Sequence, residues 1–177
     1  GGHRIPFIVR WPGKVRPGST SDQLICLTDL FATASEIVRA EFPATSCEDS
    51  VSFLPALSGE RIVSTRAGVI HHSFSGHFAY RTGKWKLILA RGSGGWSSPK
   101  ENQVPKGTMK AQLYDLDADP GEQNNLYTAE PEIAERLLAQ LTAEVTRGRS
   151  TKGLDSQNDT DKIVLWNRTD GGAAIGA

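Results

Sequence analysis

The stretch from Phe78 to Leu89 constrains the fold more than any other part of the chain. Phe78-Ala79-Tyr80-Arg81 and Lys84-Trp85-Lys86-Leu87-Ile88-Leu89 are rich in strand-forming side chains, and Thr82-Gly83 separates them. Two such runs joined by a two-residue link containing Gly predict an antiparallel hairpin. With Thr82-Gly83 as the loop, Arg81 faces Lys84, Tyr80 faces Trp85 and Phe78 faces Leu87, which gathers the aromatic and apolar side chains on one face. The like-charged pair Arg81 and Lys84 is tolerable only at an exposed turn. Such a face has to be covered, and the chain carries a cover. Ile133, Leu137, Leu138, Leu141 and Val145 recur at helical spacing, which predicts a long helix beginning near Thr128 that packs across one face of the sheet. Glu130 and Glu132 suit its positive first turn, Arg147 suits its last, and Gly148 is a natural stop. Ala67-Gly68-Val69-Ile70 and Gln112-Leu113-Tyr114-Asp115-Leu116 read as further strands. The fold class is therefore α+β, a small antiparallel sheet packed by one long C-terminal helix.

The first sixty residues read differently. Ile5-Pro6-Phe7-Ile8-Val9 is apolar and partly β-branched, and Pro12-Gly13-Lys14 and Arg16-Pro17-Gly18 punctuate the turn after it, so a strand and a loop are expected. Leu30, Phe31, Ala34, Ile37 and Val38 then predict an amphipathic helix over about residues 28–40, with Thr28 as its N-cap. One strand cannot bury that stripe. The segment thus reads as a residual strand-helix piece of a larger α/β domain, and Gly1, with no initiator Met, reads as a cut end. Residues 41–65 are expected to be loop, pinned by Val51, Phe53 and Leu54. The expected division is 1–60 as the end of a large α/β domain, 61–150 as a small domain, and 151–177 as a tail. In that tail Ile163-Val164-Leu165-Trp166 either adds an edge strand or docks on the body.

Charge and length exclude some functions. Among 177 residues, 20 Lys and Arg balance 20 Asp and Glu, which leaves no positive field for nucleic acid or an anionic membrane. No apolar run approaches the roughly 20 residues that span a bilayer. The two cysteines, Cys26 and Cys47, are too few for a paired Cys-x-x-Cys zinc site, and two thiols or one bridge fit the sequence equally.

Three stretches in order carry a family resemblance. They are Gly1-Gly2-His3-Arg4-Ile5-Pro6-Phe7-Ile8 with Trp11-Pro12-Gly13; Thr28-Asp29-Leu30-Phe31-Ala32-Thr33; and Gly83-Lys84-Trp85-Lys86-Leu87 followed by Leu113-Tyr114-Asp115-Leu116 and Asp119-Pro120-Gly121-Glu122. Together they resemble the C-terminal portion of the formylglycine-dependent sulfatases, in the alkaline-phosphatase-like superfamily. The resemblance implies a large α/β domain, to whose end the first stretch belongs, and a small C-terminal domain that holds the Trp-Lys-Leu and Tyr-Asp-Leu strands. It also implies a parent enzyme that hydrolyses a sulfated sugar or small sulfate ester, in the periplasm or outside the cell. Calcium and formylglycine are expected in the missing N-terminal part, which would be this chain's partner. Neither cysteine lies in a Cys/Ser-x-Pro/Ala-x-Arg motif: Cys26 precedes Leu27-Thr28-Asp29-Leu30 and Cys47 precedes Glu48-Asp49-Ser50-Val51. The fragment is therefore expected to bind no cofactor and to be inactive alone, because ester cleavage needs an activated nucleophile, a charge-stabilising metal and a proton donor. Two other readings are a stand-alone binding or interaction module and a fragment of a phosphonate or phosphodiester hydrolase of the same superfamily.

The substrate-binding candidates are His3, Arg4, His72 and His77. The resemblance puts His3 and Arg4 close after a catalytic lysine, where the guanidinium fork of Arg4 suits sulfate oxygens; the alternative is a loop-fixing ion pair. His71, His72 and His77 form the densest imidazole group, but strand geometry points 71 and 72 to opposite faces, so a cleft-lining or ordinary hydrogen-bonding role is preferred to metal binding. Residues 91–110 read as a long Gly-, Ser- and Lys-containing excursion, with Trp96 open to stacking on a sugar. Trp85 reads as core, and Asp115, Asp117 and Asp119 as a turn cluster rather than an EF-hand loop. Asn158-Asp159-Thr160 and Asn167-Arg168-Thr169 match the glycosylation acceptor pattern.

Overall fold

A computed structural model of the chain describes residues 4–43, 45–63 and 66–166. These fall into two compact units, one from Gly1–Arg66 with Thr151–Leu154 and the other from Ala67–Ser150 with Asp155–Ala177. Asn167 and its acceptor pattern lie outside the described residues.

The second unit is the α+β body. Four strands, β1 (Val69–His72), β2 (Phe78–Thr82), β3 (Trp85–Ile88) and β4 (Gln112–Asp115), lie in sequence order and pair antiparallel throughout. Ile70, Tyr80, Leu87 and Leu113 stand opposite one another across all four strands. This apolar row is the unit of sheet cohesion, and the long helix α3 (Pro131–Thr146) covers it with Ala134, Leu137 and Leu141. Leu165, from beyond the helix, docks into the same core. Its neighbour Trp166 packs against the core, with the Lys110 ammonium 5.0 Å from its ring centroid. Tyr80 is fully buried, and its hydroxyl donates to the Glu144 carboxylate at 2.8 Å.

Two sequence expectations shift here. The hairpin loop is Gly83-Lys84, not Thr82-Gly83, so Thr82 faces Trp85, Tyr80 faces Leu87 and Arg81 faces Lys86. The reason lies in the turn residues: Gly83 takes φ +51, a left-handed value that suits the first position of a two-residue loop. Thr82 stays extended, as a β-branched residue prefers, and its hydroxyl donates to the Ala67 carbonyl. The register moves by two residues on the partner strand, so the inward set is unchanged. Lys86, opposite Arg81, is neutralised by Glu122 at 2.7 Å. The helix begins at Pro131 rather than near Thr128, since proline at the first helical position lacks only an N–H that would have no partner there.

The first unit contains α1 (Asp29–Val38) and a four-residue helix α2 (Leu54–Leu57) inside the expected loop. The segment 4–10 has no ladder partner among the described residues, so the expected strand over residues 5–9 is not formed. Phe7 instead stacks edge-on against buried Phe53, with centroids 5.3 Å apart. Helix α1 is turned opposite to its sequence pattern. Asp29, Ala32 and Thr33 are buried, while Leu30, Phe31, Ile37 and Val38 are exposed, Phe31 by 52% and Val38 by 71%. Thr28 makes no side-chain cap. Polar contacts hold the inner face: the Thr33 hydroxyl accepts the Phe53 N–H, and Ser50 Oγ accepts the Ala32 N–H.

Candidate functional site

Local chain chemistry builds two features, one in each unit. In the first unit the side chain of Asp29, 1% exposed, forms a two-pronged ion pair with Arg66 at 2.6 and 2.7 Å. Its oxygens also accept the N–H groups of Cys26 and Val51, and the Arg66 guanidinium donates to the Asp49 carbonyl. Burial opposes the charge on Arg66, but the Asp29 carboxylate overrides it and the pKa is raised. This is an anchor for the loops around α1, with both terminal nitrogens of Arg66 bonded within the fold. Arg4 belongs to the same unit and is exposed; His3 lies outside the described residues.

In the second unit the other two candidates sit on β1 and the loop after it. His72 ends β1 opposite Phe78, and their rings meet edge-on at 4.1 Å. Desolvation on that side holds the imidazole below its ordinary pKa, so His72 is a neutral hydrogen-bonding group near pH 7. His77 is buried. Its Nδ1 lies 3.2 Å from the Leu89 carbonyl, which can only accept, so the proton sits on Nδ1. The Ser73 N–H donates to the His77 carbonyl, and the His77 N–H donates to Ser73 Oγ. His77 therefore fixes the 73–77 turn and His72 is the imidazole at the surface. The neighbours 71 and 72 face Ala79 and Phe78 respectively, on opposite sides of the sheet.

The excursion after β3 is built rather than loose. The Glu101 carboxylate accepts the N–H groups of Arg91 and Gly92, the Ser93 N–H donates to the Pro99 carbonyl, and Ser93 Oγ donates to the Ser97 carbonyl. Gly94 takes φ +65, a left-handed value that disfavours other residues, and a Cβ there would press on Ser73 at 3.2 Å, tighter than an ordinary contact. That close approach brings the 73–77 turn and the 91–100 loop together. It sets Phe74 beside Trp96, with centroids 4.9 Å apart, although both rings are more than three-quarters exposed. Trp96 alone drew notice in the sequence; Phe74 carried no signal, because its partner is far along the chain.

Other sequence candidates resolve into structure. Asp115 Oδ1 accepts the N–H groups of Asp117 and Ala118, and Asp119 Oδ2 those of Gln123 and Asn124, so these carboxylates shape turns. Trp85 is half-buried against the core. Cys26 and Cys47 are free thiols, and Cys26 Sγ lies 2.9 Å from Thr28 Oγ1. Among the described residues no group of three or more His, Cys, Asp or Glu side chains is placed to hold a metal ion. These residues offer no such cluster to the calcium ion that the family resemblance implies. No described helix is long and apolar enough to cross a membrane.

No family model matches the chain. It is 33% identical to an N-acetylgalactosamine-6-O-sulfatase of Bacteroides thetaiotaomicron over 147 residues, which cover 82% of this chain and 28% of that protein. An ulvan-active sulfatase of Formosa agariphila is 32% identical over 164 residues, covering 79% of this chain and 32% of the relative. A solved sulfatase structure from work on glycosaminoglycan metabolism in B. thetaiotaomicron superposes with a TM-score of 0.65 at 32% identity. It covers 80% of this chain and 29% of its own. The chain thus spans about a third of the length of these relatives. Three ordered sequence stretches, the four-stranded antiparallel sheet under α3 and these likenesses agree: the chain belongs to the sulfatase family.

Proposed function

We propose that this chain is the C-terminal part of a sulfatase, a sulfuric ester hydrolase acting on a sulfated saccharide, and that it is inactive without the part that carries nucleophile and metal. The observation that carries this reading is helix α1, which buries Asp29 and Thr33 and exposes Leu30, Phe31, Ile37 and Val38. A helix does not turn its hydrocarbon face to water unless something else covers it. The remaining two-thirds of a sulfatase is the cover that the relatives' length suggests. The saccharide class rests on the names of the two relatives, one acting on an N-acetylgalactosamine 6-O-sulfate and one on ulvan. Within the whole enzyme, Arg4 and His72 are the residues of this chain offered to substrate, and the chain braces the cleft that holds it. On this reading, and as the family resemblance implies, calcium, formylglycine and the sulfate-holding groups belong to the other part, and the enzyme to the periplasm or the outside of the cell.

The test is reconstitution. The purified 177 residues with calcium and an aryl sulfate are expected to release no sulfate, and release is expected once the preceding sulfatase region is supplied in the same polypeptide. Stoichiometric turnover by the 177 residues alone would overturn the reading. Turnover of phosphonates or phosphodiesters and not sulfates by the longer protein would replace the ester class.

A further inference from the structure

We infer that Phe74 and Trp96 form a stacking platform for a pyranose ring of a saccharide chain, on the sheet-bearing unit. Both rings are more than three-quarters exposed, yet they sit 4.9 Å apart at 51° to each other, so two aromatic surfaces are presented side by side. Single exposed apolar side chains are ordinary, but two large rings held together at the surface make a contiguous apolar patch, the kind of feature that marks a binding surface. Here the fold works to present them. Trp96 is at the tip of a loop tied by Ser93 to Ser97 and Pro99 and by Glu101 to its own base, and Phe74 is in a turn closed by the buried His77.

The surroundings select the occupant. The two loops, Ser73-Phe74-Ser75-Gly76-His77 and Arg91-Gly92-Ser93-Gly94-Gly95-Trp96-Ser97-Ser98-Pro99-Lys100, contain no Leu, Ile, Val or Met. A protein or membrane partner would need a larger continuous apolar patch than two rings provide. A sugar ring needs less. Its C–H faces carry slight positive charge and rest on the negative faces of aromatic rings. Its hydroxyls then need polar neighbours, and Ser75, Ser97 and Ser98 are exposed next to the rings in sequence. Lys100, also exposed, suits an anionic substituent on such a chain.

This rests on the saccharide class proposed above for its choice of probe. The probes are a tetrasaccharide containing N-acetylgalactosamine 6-O-sulfate and the same tetrasaccharide desulfated, titrated into the 177-residue protein with isothermal titration calorimetry as the readout. Saturable binding of the sulfated probe is expected, weakened about tenfold or more by W96A and by F74A and largely kept by W96F. The desulfated probe is expected to lose the Lys100 contribution but to remain sensitive to W96A. Circular dichroism of both alanine variants should match the parent, since neither side chain is buried. Absence of binding by the parent, equal binding by parent and W96A, or self-association of the chain that W96A abolishes would each overturn the platform. The two proposals fail separately. If the longer protein hydrolyses aryl sulfate normally but the tetrasaccharides do not bind, the platform falls and the sulfatase reading stands. If no sulfate ester is cleaved while W96A still abolishes binding, the reverse holds.

Discussion

Replacing Asp29 by Ala should unfold the first unit at markedly lower denaturant. The carboxylate is 1% exposed, holds both terminal nitrogens of Arg66 at 2.6 and 2.7 Å, and accepts the N–H groups of Cys26 and Val51. Its removal leaves a guanidinium, 5% exposed, facing two amides with no acceptor. Removing one partner of a buried pair costs about 3–5 kcal/mol, because the surviving charge keeps its desolvation penalty. The Asp49 carbonyl still takes one guanidinium proton and Thr33 still holds Phe53, so the lower part of that range is expected. The double variant D29L/R66M, which removes both charges at similar volume, should recover a large part of the loss. Urea unfolding followed through the fluorescence of Trp11, the sole tryptophan among residues 1–66, reads this unit when Trp85, Trp96 and Trp166 are replaced by Phe in all the proteins compared. A D29A loss below about 1 kcal/mol, the size of a surface pair, or a double variant no more stable than D29A, would refute the reasoning.

The second unit offers two further tests. Leu137→Ala opens a cavity beneath the Ile70, Tyr80, Leu87 and Leu113 row and should cost about 2–5 kcal/mol, seen as a lower urea midpoint by far-ultraviolet circular dichroism. Burial first and then Glu122 and Asp119 push the Tyr114 phenol up to about 12, and burial and Glu144 raise Tyr80 as well. A group whose folded pKa is raised binds more protons folded than unfolded, so its contribution is complete below the ordinary value of 10.0 and is lost as pH rises from there through the folded value. Stability measured from pH 8 to 12 should therefore be level at first and fall above about 10, and a fall beginning nearer pH 8 would contradict it.

Much of the fold could be read from residue order because its signals are local. The period of Ile133, Leu137 and Leu141 makes α3, and the strand runs on either side of Gly83 make the hairpin, although the turn residue decided a register that the runs left open. The strand expected at residues 5–9 failed for a non-local reason: a strand requires a neighbour to pair with, and its own apolar character does not supply one. Helix α1 formed where expected but turned its polar side inward, because Asp29 found Arg66 and Thr33 found Phe53, contacts 37 and 20 residues apart that no periodicity encodes. The candidate site divides the same way. The histidines stood out by density, yet only their burial separates anchoring His77 from surface His72. The Phe74 and Trp96 pair exists only once two loops are brought together at Gly94.

The path of the backbone between the two units has a consequence for how such a protein can be taken apart. Thr151 returns to the first unit and bonds the Glu48 carbonyl through both its N–H and its hydroxyl, closing a span of 103 residues. The chain then goes back to the second unit, where Leu165 completes the core. The units are interleaved like two stitches made with one thread. No single cut releases both whole: severing the chain near residue 66 strands Thr151–Leu154, and severing it near 155 removes Leu165. During synthesis the first unit must likewise wait for its last stitch until α3 has been made, and its early residues carry the entropy of that long open loop until then.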